Sequence, residues 1–203
     1  AFNQANVELI DLHEHPISRF TSDGIVVGDT EIKLDAVIFA TGFDVMTGAM
    51  DRIDIRGRED QGLKARWAES VTSHLGMMTH GFPNLFWING PHSPFYNPIL
   101  LAEFQCNFVT ELIDEMSDHG AEVIEANEDE ELRYVQLTND IGNSTLYPES
   151  DNYYMGDNIP GKPRATLFWF GGFPFYRKQC RLAREEWKGF EIGSDRAQPQ
   201  QTG

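Results

Sequence analysis

Two short stretches of this 203-residue chain combine residue types that could contact a bound group. Ala40-Thr41-Gly42 closes an apolar run, and a residue without a Cβ at the end of a strand lets the backbone approach a ligand closely. Asn97-Pro98 has the pattern of an N-cap and a first helical residue, so N–H groups and the positive end of a helix dipole could face an electron-rich group. Each stretch also has a purely structural interpretation, as a strand-to-loop turn and as a helix cap.

The histidines do not predict a metal site. His13-Glu14-His15 places two imidazoles on one side of an extended segment, whereas a protein metal site needs three or four converging ligands. The sequence suggests no third ligand, so we expect no bound metal. The remaining histidines, His74, His80, His92 and His119, are expected in turns or on the surface.

Composition narrows the class of protein. The net charge of −16 argues against binding to nucleic acid or to an anionic membrane surface, because both need clustered Lys and Arg. No apolar run reaches the roughly 18 residues that would suggest a membrane span. Two cysteines, Cys106 and Cys180, are expected as reduced, packed thiols in helices. These features favour a cytoplasmic protein.

The strands that would position such sites are predicted from short apolar runs between turn residues. The run 36–41 is almost continuously apolar and predicts a strand buried on both faces. The other predicted strands are 7–10, 25–27, 32–34, 85–88 and 167–170.

The predicted helices complete an α/β chain. Asn97 and Pro98 begin the first one, which Gly120 closes. Asn127 caps a second helix that runs to about residue 141, and its acidic first turn, 128–131, is interpreted as a solvated face. A third runs from about Pro174 to Trp187, after a Gly- and Pro-rich loop at 147–165.

Four stretches carry a resemblance to a known family. They are 39–44 (FATGFD), 81–86 (GFPNLF) with Gly90-Pro91 beyond it, 158–163 (NIPGKP), and Gly171-Gly172 with Tyr176-Arg177. One such motif alone occurs in many flavin enzymes, but their order and spacing along residues 5–192 are much more specific. In these four stretches the chain resembles the C-terminal part of the Baeyer–Villiger monooxygenases.

The resemblance implies part of an α/β, Rossmann-like flavoprotein with two dinucleotide-binding domains, for FAD and for NAD(P). Residues 1–45 would be the C-terminal piece of the NADPH-binding domain. Residues 46–193 would be the C-terminal piece of the FAD-binding domain, with a mobile loop at 147–165. Residues 194–203 are expected to be a disordered tail because they are polar. The family's two G-x-G-x-x-G motifs and its catalytic arginine would lie upstream of Ala1, so no residue of this chain is expected to be catalytic.

The activity implied by the resemblance is FAD- and NADPH-dependent insertion of one oxygen atom of O2 into a ketone, giving an ester or lactone. The partners would be the ketone, O2 and the missing N-terminal part of the same enzyme, and the chain alone would be inactive. Two alternatives stay open: an N- or S-oxygenating flavin monooxygenase, and a stand-alone, non-catalytic binding or interaction subunit.

The resemblance also implies which residues would contact each group. Ala40, Thr41 and Gly42 would face NADP, and Asn97, Pro98 and Ile99 would lie over the isoalloxazine ring of FAD. The loop 147–165 would fold over NADP. The remaining contacts implied are Tyr153 and Lys162, with Arg164 as a second phosphate contact, for the cofactor, and Phe95, Tyr96 and Phe173 for the ketone. For Lys162 and Arg164, a solvated basic pair is the alternative.

Overall fold

Residues 2–41 build a small antiparallel sheet in the structure, a computed structural model that describes residues 2–194. Its strands are β1 (Ile17–Phe20), β2 (Gly24–Val27) and β3 (Thr30–Lys33), in the order β1-β2-β3. The tight turn between β2 and β3 contains Gly28 at φ +58°, a conformation that favours glycine. The predicted strands 25–27 and 32–34 are confirmed within a few residues.

The other strand predictions in this unit are wrong. Residues 7–10 have no regular structure, and β1, which was not predicted, is exposed along its whole length. The apolar segment 36–41 is no strand, and it is exposed, Ile38 by 90% and Phe39 by 69%. A strand buried on both faces needs hydrogen-bonding neighbours and covering layers, and none of the three described strands of this unit pairs with it.

Residues 42–194 form a second unit in which helices pack around a two-stranded antiparallel sheet. The long helices are α2 (Pro98–Asp118), α3 (Glu128–Asn143) and α4 (Phe173–Arg184), and a short α1 spans Leu63–Arg66. The sheet pairs β4 (Val123–Ala126) with β5 (Phe190–Gly193). Single 3-10 turns lie at Met50–Arg52, Arg58–Asp60, Tyr147–Glu149 and Glu185–Trp187.

All three predicted helices are confirmed, because their end signals are local. The side chains of Asn97 and Asn127 accept hydrogen bonds from the N–H groups of their own first turns. Gly120, at φ +67°, follows the end of α2. The third helix begins at Phe173 and ends at Arg184, with a 3-10 turn to Trp187.

The segments 85–88 and 167–170 are not strands, which corrects both predictions. Residues 167–169 run parallel to 92–95 for one bridge only: Phe95 N–H donates to Trp169 O at 3.0 Å and Trp169 N–H to Ser93 O at 3.0 Å. β4 and β5 were missed. β4 is buried along its whole length and carries Glu125, whose carboxylate bonds the guanidinium of Arg58 at 2.6 Å.

The main core lies between α2, α3, α4 and the β4–β5 sheet, and Tyr134 stacks on Trp169 in it at 5.3 Å between ring centroids. A second, smaller core surrounds Trp67, Phe82 and Phe168.

Several burial predictions are corrected by the structure. His74 and His92 are 0% and 1% exposed, although His92 does lie in a turn. Glu131 does not belong to a solvated face: it is 0% exposed and bonds Arg66 at 2.8 Å and Thr79 at 2.6 Å. Both cysteines are free thiols in helices, but only Cys180 is buried. The partners of Glu131 lie more than 50 positions away in sequence, so composition does not reveal its burial.

The predicted disorder of residues 194–203 falls outside the described residues, except for Ser194. Among residues 2–194, no helix is long and apolar enough to span a membrane.

Candidate functional site

A cavity of about 270 Å³ lies beside the N-terminal end of α2. Five aromatic side chains line it, together with Met46, Leu101 and the polar residues Asn89 and Ser93: Phe95, Tyr96, Tyr153, Tyr154 and Phe168. The cavity brings together Phe95, Tyr96, Pro98 and Tyr153, which sequence reasoning placed at the site from two separate stretches, 90–99 and 147–165. Largely apolar walls with a few polar groups are typical of small-molecule sites.

Backbone pairing holds the aromatic wall in place. The parallel bridge between 92–95 and 167–169 presents Phe95 to the cavity. Its ring meets Tyr154 edge-on at 5.4 Å and lies 6.1 Å from Phe168. Tyr154 is fixed in turn, because its carbonyl accepts a hydrogen bond from Leu167 N–H at 3.0 Å. These segments are far apart in sequence, so the wall exists only in the folded chain.

Tyr96 and Phe173 form a stacked pair at the edge of the cavity. Their ring centroids are 4.5 Å apart and the planes are inclined by 9°. Phe173 is the first residue of α4, and Phe104 of α2 meets its ring edge-on at 5.4 Å. Phe173 therefore supports Tyr96 from behind and does not itself line the cavity.

The first N–H groups of α2 are already engaged within the helix. Asn97 Oδ1 accepts hydrogen bonds from Ile99 N–H at 3.0 Å and Leu100 N–H at 3.2 Å, and Asn97 O accepts from Leu101 N–H. The helix dipole remains directed outward. Next to it lies exposed apolar surface from Ile99 (78% exposed) and Leu100 (50%).

This end of α2 fits the ring system of a flavin, since a flat, largely apolar ring can cover that surface and its electron-rich edge can meet the positive end of the helix. The described residues contain no Gly-rich strand–turn–helix that could hold a pyrophosphate. The fit therefore concerns the ring of FAD alone.

Gly42 opens the second unit at φ +88°, where a Cβ would be strained and would lie 3.3 Å from Asn158 Nδ2. Asn158 Nδ2 donates to Phe43 O at 2.9 Å. Ala40 and Thr41 are exposed residues at the end of the first unit. The glycine at 42 thus has a backbone requirement of its own, besides the predicted approach of a cofactor.

The predicted phosphate contacts have partners inside the protein. Lys162 Nζ lies 2.7 Å from Asp44 Oδ1 and donates to Val45 O, and its side chain is only 8% exposed. Arg164 donates to Pro148 O at 2.6 Å and approaches Asp157 at 3.4 Å. Lys162 is thus no solvated cation in this structure, and its ion pair holds the loop 147–165 against residues 44–45.

Sequence reasoning missed Met46, Asn89, Ser93, Tyr154 and Phe168. Tyr154 adjoins a residue that was singled out, and Asn89 begins the Asn-Gly-Pro turn before the helix. Met46 and Phe168 gave no signal, because each looks like an ordinary core residue.

Within residues 2–194, no group of three or more His, Cys, Asp or Glu side chains could hold a metal ion.

The chain is similar in sequence to several monooxygenases. No protein-family model matches the chain. Cyclopentanone 1,2-monooxygenase of Comamonas sp. is 37% identical over 196 residues, which are 95% of this chain and 36% of that protein. Phenazine N-monooxygenase PhzNO1 of Lysobacter antibioticus is 36% identical, over 96% of this chain and 36% of that protein.

Solved structures give the same relation. Cyclohexanone monooxygenase from Rhodococcus sp. Phi1, bound to NADP+, superposes with a TM-score of 0.88 at 34% identity, over 96% of this chain and 37% of that chain. OTEMO in complex with FAD and NADP superposes with a TM-score of 0.86 at 35% identity, over 95% of this chain and 36% of that one.

The fold is therefore that of part of a flavoprotein with two dinucleotide-binding domains, as predicted. The chain matches a C-terminal portion of Baeyer–Villiger monooxygenases and spans about 36% of the length of these relatives.

Proposed function

We propose that the residues lining the cavity at the N-terminal end of α2 form one wall of the active site of an FAD- and NADPH-dependent Baeyer–Villiger monooxygenase. This cytoplasmic enzyme would convert a ketone and O2 into an ester or lactone. The observation that carries this proposal is the aromatic cavity at the N-terminal end of α2, which unites Phe95, Tyr96, Pro98 and Tyr153. Because the chain spans only 36% of its relatives, the remaining site groups would come from the preceding part of the enzyme.

The two units would bind different cofactors. Residues 1–45 would complete the NADPH-binding domain and residues 46–193 the FAD-binding domain, and the change of unit at Thr41/Gly42 supports a boundary in this region. The exposed apolar segment around Ile38 and Phe39 supports a further layer of protein over the first unit.

The residues of this chain would bind and orient the ketone and the cofactors, and they would exclude water. FAD and NADPH, when bound, supply electron transfer and the activation of O2. Phe95, Tyr96 and Tyr153 would hold the apolar part of the ketone and keep the site dry, and the start of α2 would face the flavin ring. The loop 147–165 would close over NADP, with Lys162 and Tyr153 as its contacts.

Nitrogen oxygenation is the second candidate, because one relative of 36% identity is named a phenazine N-monooxygenase. The same aromatic wall could stack on a nitrogen heteroaromatic as well as hold a ketone. The two functions differ in the product, an ester or an N-oxide.

The first experiment is to read the DNA upstream of Ala1 and to express the complete enzyme, meaning residues 1–203 preceded by the polypeptide encoded in the same frame. Purified with FAD, it should oxidise NADPH faster when cyclic or aryl ketones are added, and form one ester or lactone per NADPH. Phenazine serves as the competing substrate. Oxygenation of phenazine without ester formation would replace the proposed function by the second candidate, and a stop codon directly upstream would oppose both.

The second experiment uses residues 1–203 alone, for which we expect neither retained flavin nor ketone-dependent NADPH oxidation. Most of the FAD affinity in such folds comes from a Gly-rich turn and helix N-terminus around the pyrophosphate, and no such glycine spacing occurs in this sequence. Flavin absorbance after desalting is the measurement. Stoichiometric retained flavin would show that the binding site is built from these residues.

A further inference from the structure

Gln105 is a fully buried amide in the second turn of α2, directly beneath the cavity. Its Oε1 accepts a hydrogen bond from Asn89 N–H at 2.7 Å. Its Nε2 donates to Ser93 Oγ at 3.0 Å and to Tyr176 Oη at 2.8 Å. Both donors and the acceptor of the amide are thus used, and two of the three partners, Asn89 and Ser93, line the cavity.

The turn that Gln105 spans is conformationally unusual. Asn89 and His92 adopt φ values of +55° and +65°, which non-glycine residues rarely adopt without support from their surroundings. Gln105 binds Asn89 at the start of this turn and Ser93 at its end. Asn89 Nδ2 also donates to Pro98 O at 3.1 Å, which ties the turn to the beginning of α2.

The amide of Gln105 also reaches α4, the helix whose residue Phe173 supports Tyr96. Tyr176 lies one turn after Phe173 in α4, and Phe173 stacks on Tyr96. The Tyr176 hydroxyl, which accepts from Gln105, donates to Leu75 O at 2.8 Å. Gln105 therefore connects the turn that leads into Phe95 and Tyr96 with the helix that holds Phe173.

We infer that Gln105 is a positioning residue for the oxygenation site: its hydrogen bonds set the turn 89–93 against α4 and thereby orient the wall formed by Phe95 and Tyr96. This inference rests on the proposed function. Gln105 does not line the cavity, so it acts through Asn89, Ser93 and Tyr176.

The test is Gln105→Leu in the complete enzyme, which keeps the side-chain volume and removes all three hydrogen bonds. We expect KM for the ketone to rise roughly tenfold and a larger fraction of NADPH to be consumed without ester, because small misplacements of a substrate-holding wall have large kinetic effects. The matched control is Gln179→Leu in α4, which removes another buried amide (4% exposed) away from the cavity. This control should lower thermal stability only.

A second variant, Gln105→Glu, separates positioning from general stability. Burial raises the pKa of a carboxyl group, so at the acid end of an assay series from pH 6 to 9 the protonated side chain can donate one hydrogen bond and still accept from Asn89 N–H. We expect its KM to return toward the wild-type value at low pH, relative to wild type at each pH, and that of Gln105→Leu to stay high.

The outcomes distinguish the two claims. A wild-type enzyme without ketone turnover refutes the proposed function. An active wild type with variants that lose thermal stability, yet keep KM and the NADPH-to-ester ratio within twofold well below their melting temperatures, overturns the positioning role. If Gln105→Leu does not fold, the pH profile of Gln105→Glu decides alone, and a flat ratio to wild type overturns the inference.

Discussion

Acidification should destabilise this protein through two buried histidines, His74 and His92. Burial lowers the pKa of each to about 4. Around His74, the nearby charge of Glu130 opposes this effect and that of Arg133 adds to it. Neither ring nitrogen of His74 has a hydrogen-bond partner of normal geometry among the described residues, and its ring packs edge-on against Phe190 at 5.4 Å.

The magnitude follows from linkage between protonation and folding. An unfolded histidine takes up its proton near pH 6.5, so a folded pKa of about 4 corresponds to roughly 3 kcal/mol per residue. The unfolded chain binds more protons between these values. Stability is therefore full above pH 6.5 and is lost as the pH falls toward 4. At pH 5 each histidine should have lost about 2 kcal/mol, a large share of a typical 5–15 kcal/mol.

The perturbation is His74→Phe in the 203-residue chain, which keeps a ring against Tyr134 and Phe190 and removes the titrating group. Urea unfolding from pH 8 to pH 5 should show a loss of about 4 kcal/mol in the wild type and about 2 kcal/mol in the variant. His13→Asn, at an exposed position, is the control and should follow the wild type. Should Phe not be accommodated, His74→Asn gives the same comparison. Parallel pH curves for wild type and variant would refute the reasoning.

Three further predictions concern the wall, the loop and the packing of α3. In the complete enzyme, Tyr96→Ala or Phe173→Ala should change which ketones are accepted more than it changes FAD content, because one stacked ring is lost and a core that relaxes limits the cost to a few kcal/mol. Limited proteolysis should cut first within 147–165, with NADP slowing the cut. Gly142→Ala should cost about 1–3 kcal/mol in urea unfolding, since the new Cβ would lie 2.6 Å from Thr166 Cγ2.

A specific outcome would contradict each of these three predictions. Equal loss of flavin in both aromatic variants would make Tyr96 and Phe173 structural core. First cleavage elsewhere, with no effect of NADP, would oppose a closing loop. For the packing of α3, Gly193→Ala is the matched control, because its added Cβ meets nothing within 4 Å. Equal stability of the two glycine variants would contradict the steric argument.

The long helices were predictable because their signals lie within a few residues of each other. Asn97 and Asn127 cap α2 and α3 through their own first turns, and Gly120 ends α2 in the conformation that glycine favours. The order and spacing of the short motifs are likewise properties of the sequence, and they carry the resemblance to the family.

Strand pairing and burial were not predictable in this way. The apolar runs 36–41 and 85–88 form no strand, while β4 hides a charged Glu125 within a buried strand and pairs with residues more than 60 positions away. A short apolar run reveals only its own composition. Whether it forms a strand depends on which partner segment the tertiary structure brings alongside it.

The sequence by itself determined the long helices and the resemblance to the family, and it named three of the five aromatic residues that line the cavity. Only the tertiary structure decided that Phe95 and Tyr153 share a cavity, that Gln105 and His74 are buried, and that Lys162 is paired with Asp44. The physical reason is the separation in sequence of the residues that interact. A cap or a glycine turn is fixed by neighbours in sequence. Burial, pairing and the pKa of a histidine depend on segments that meet only after folding.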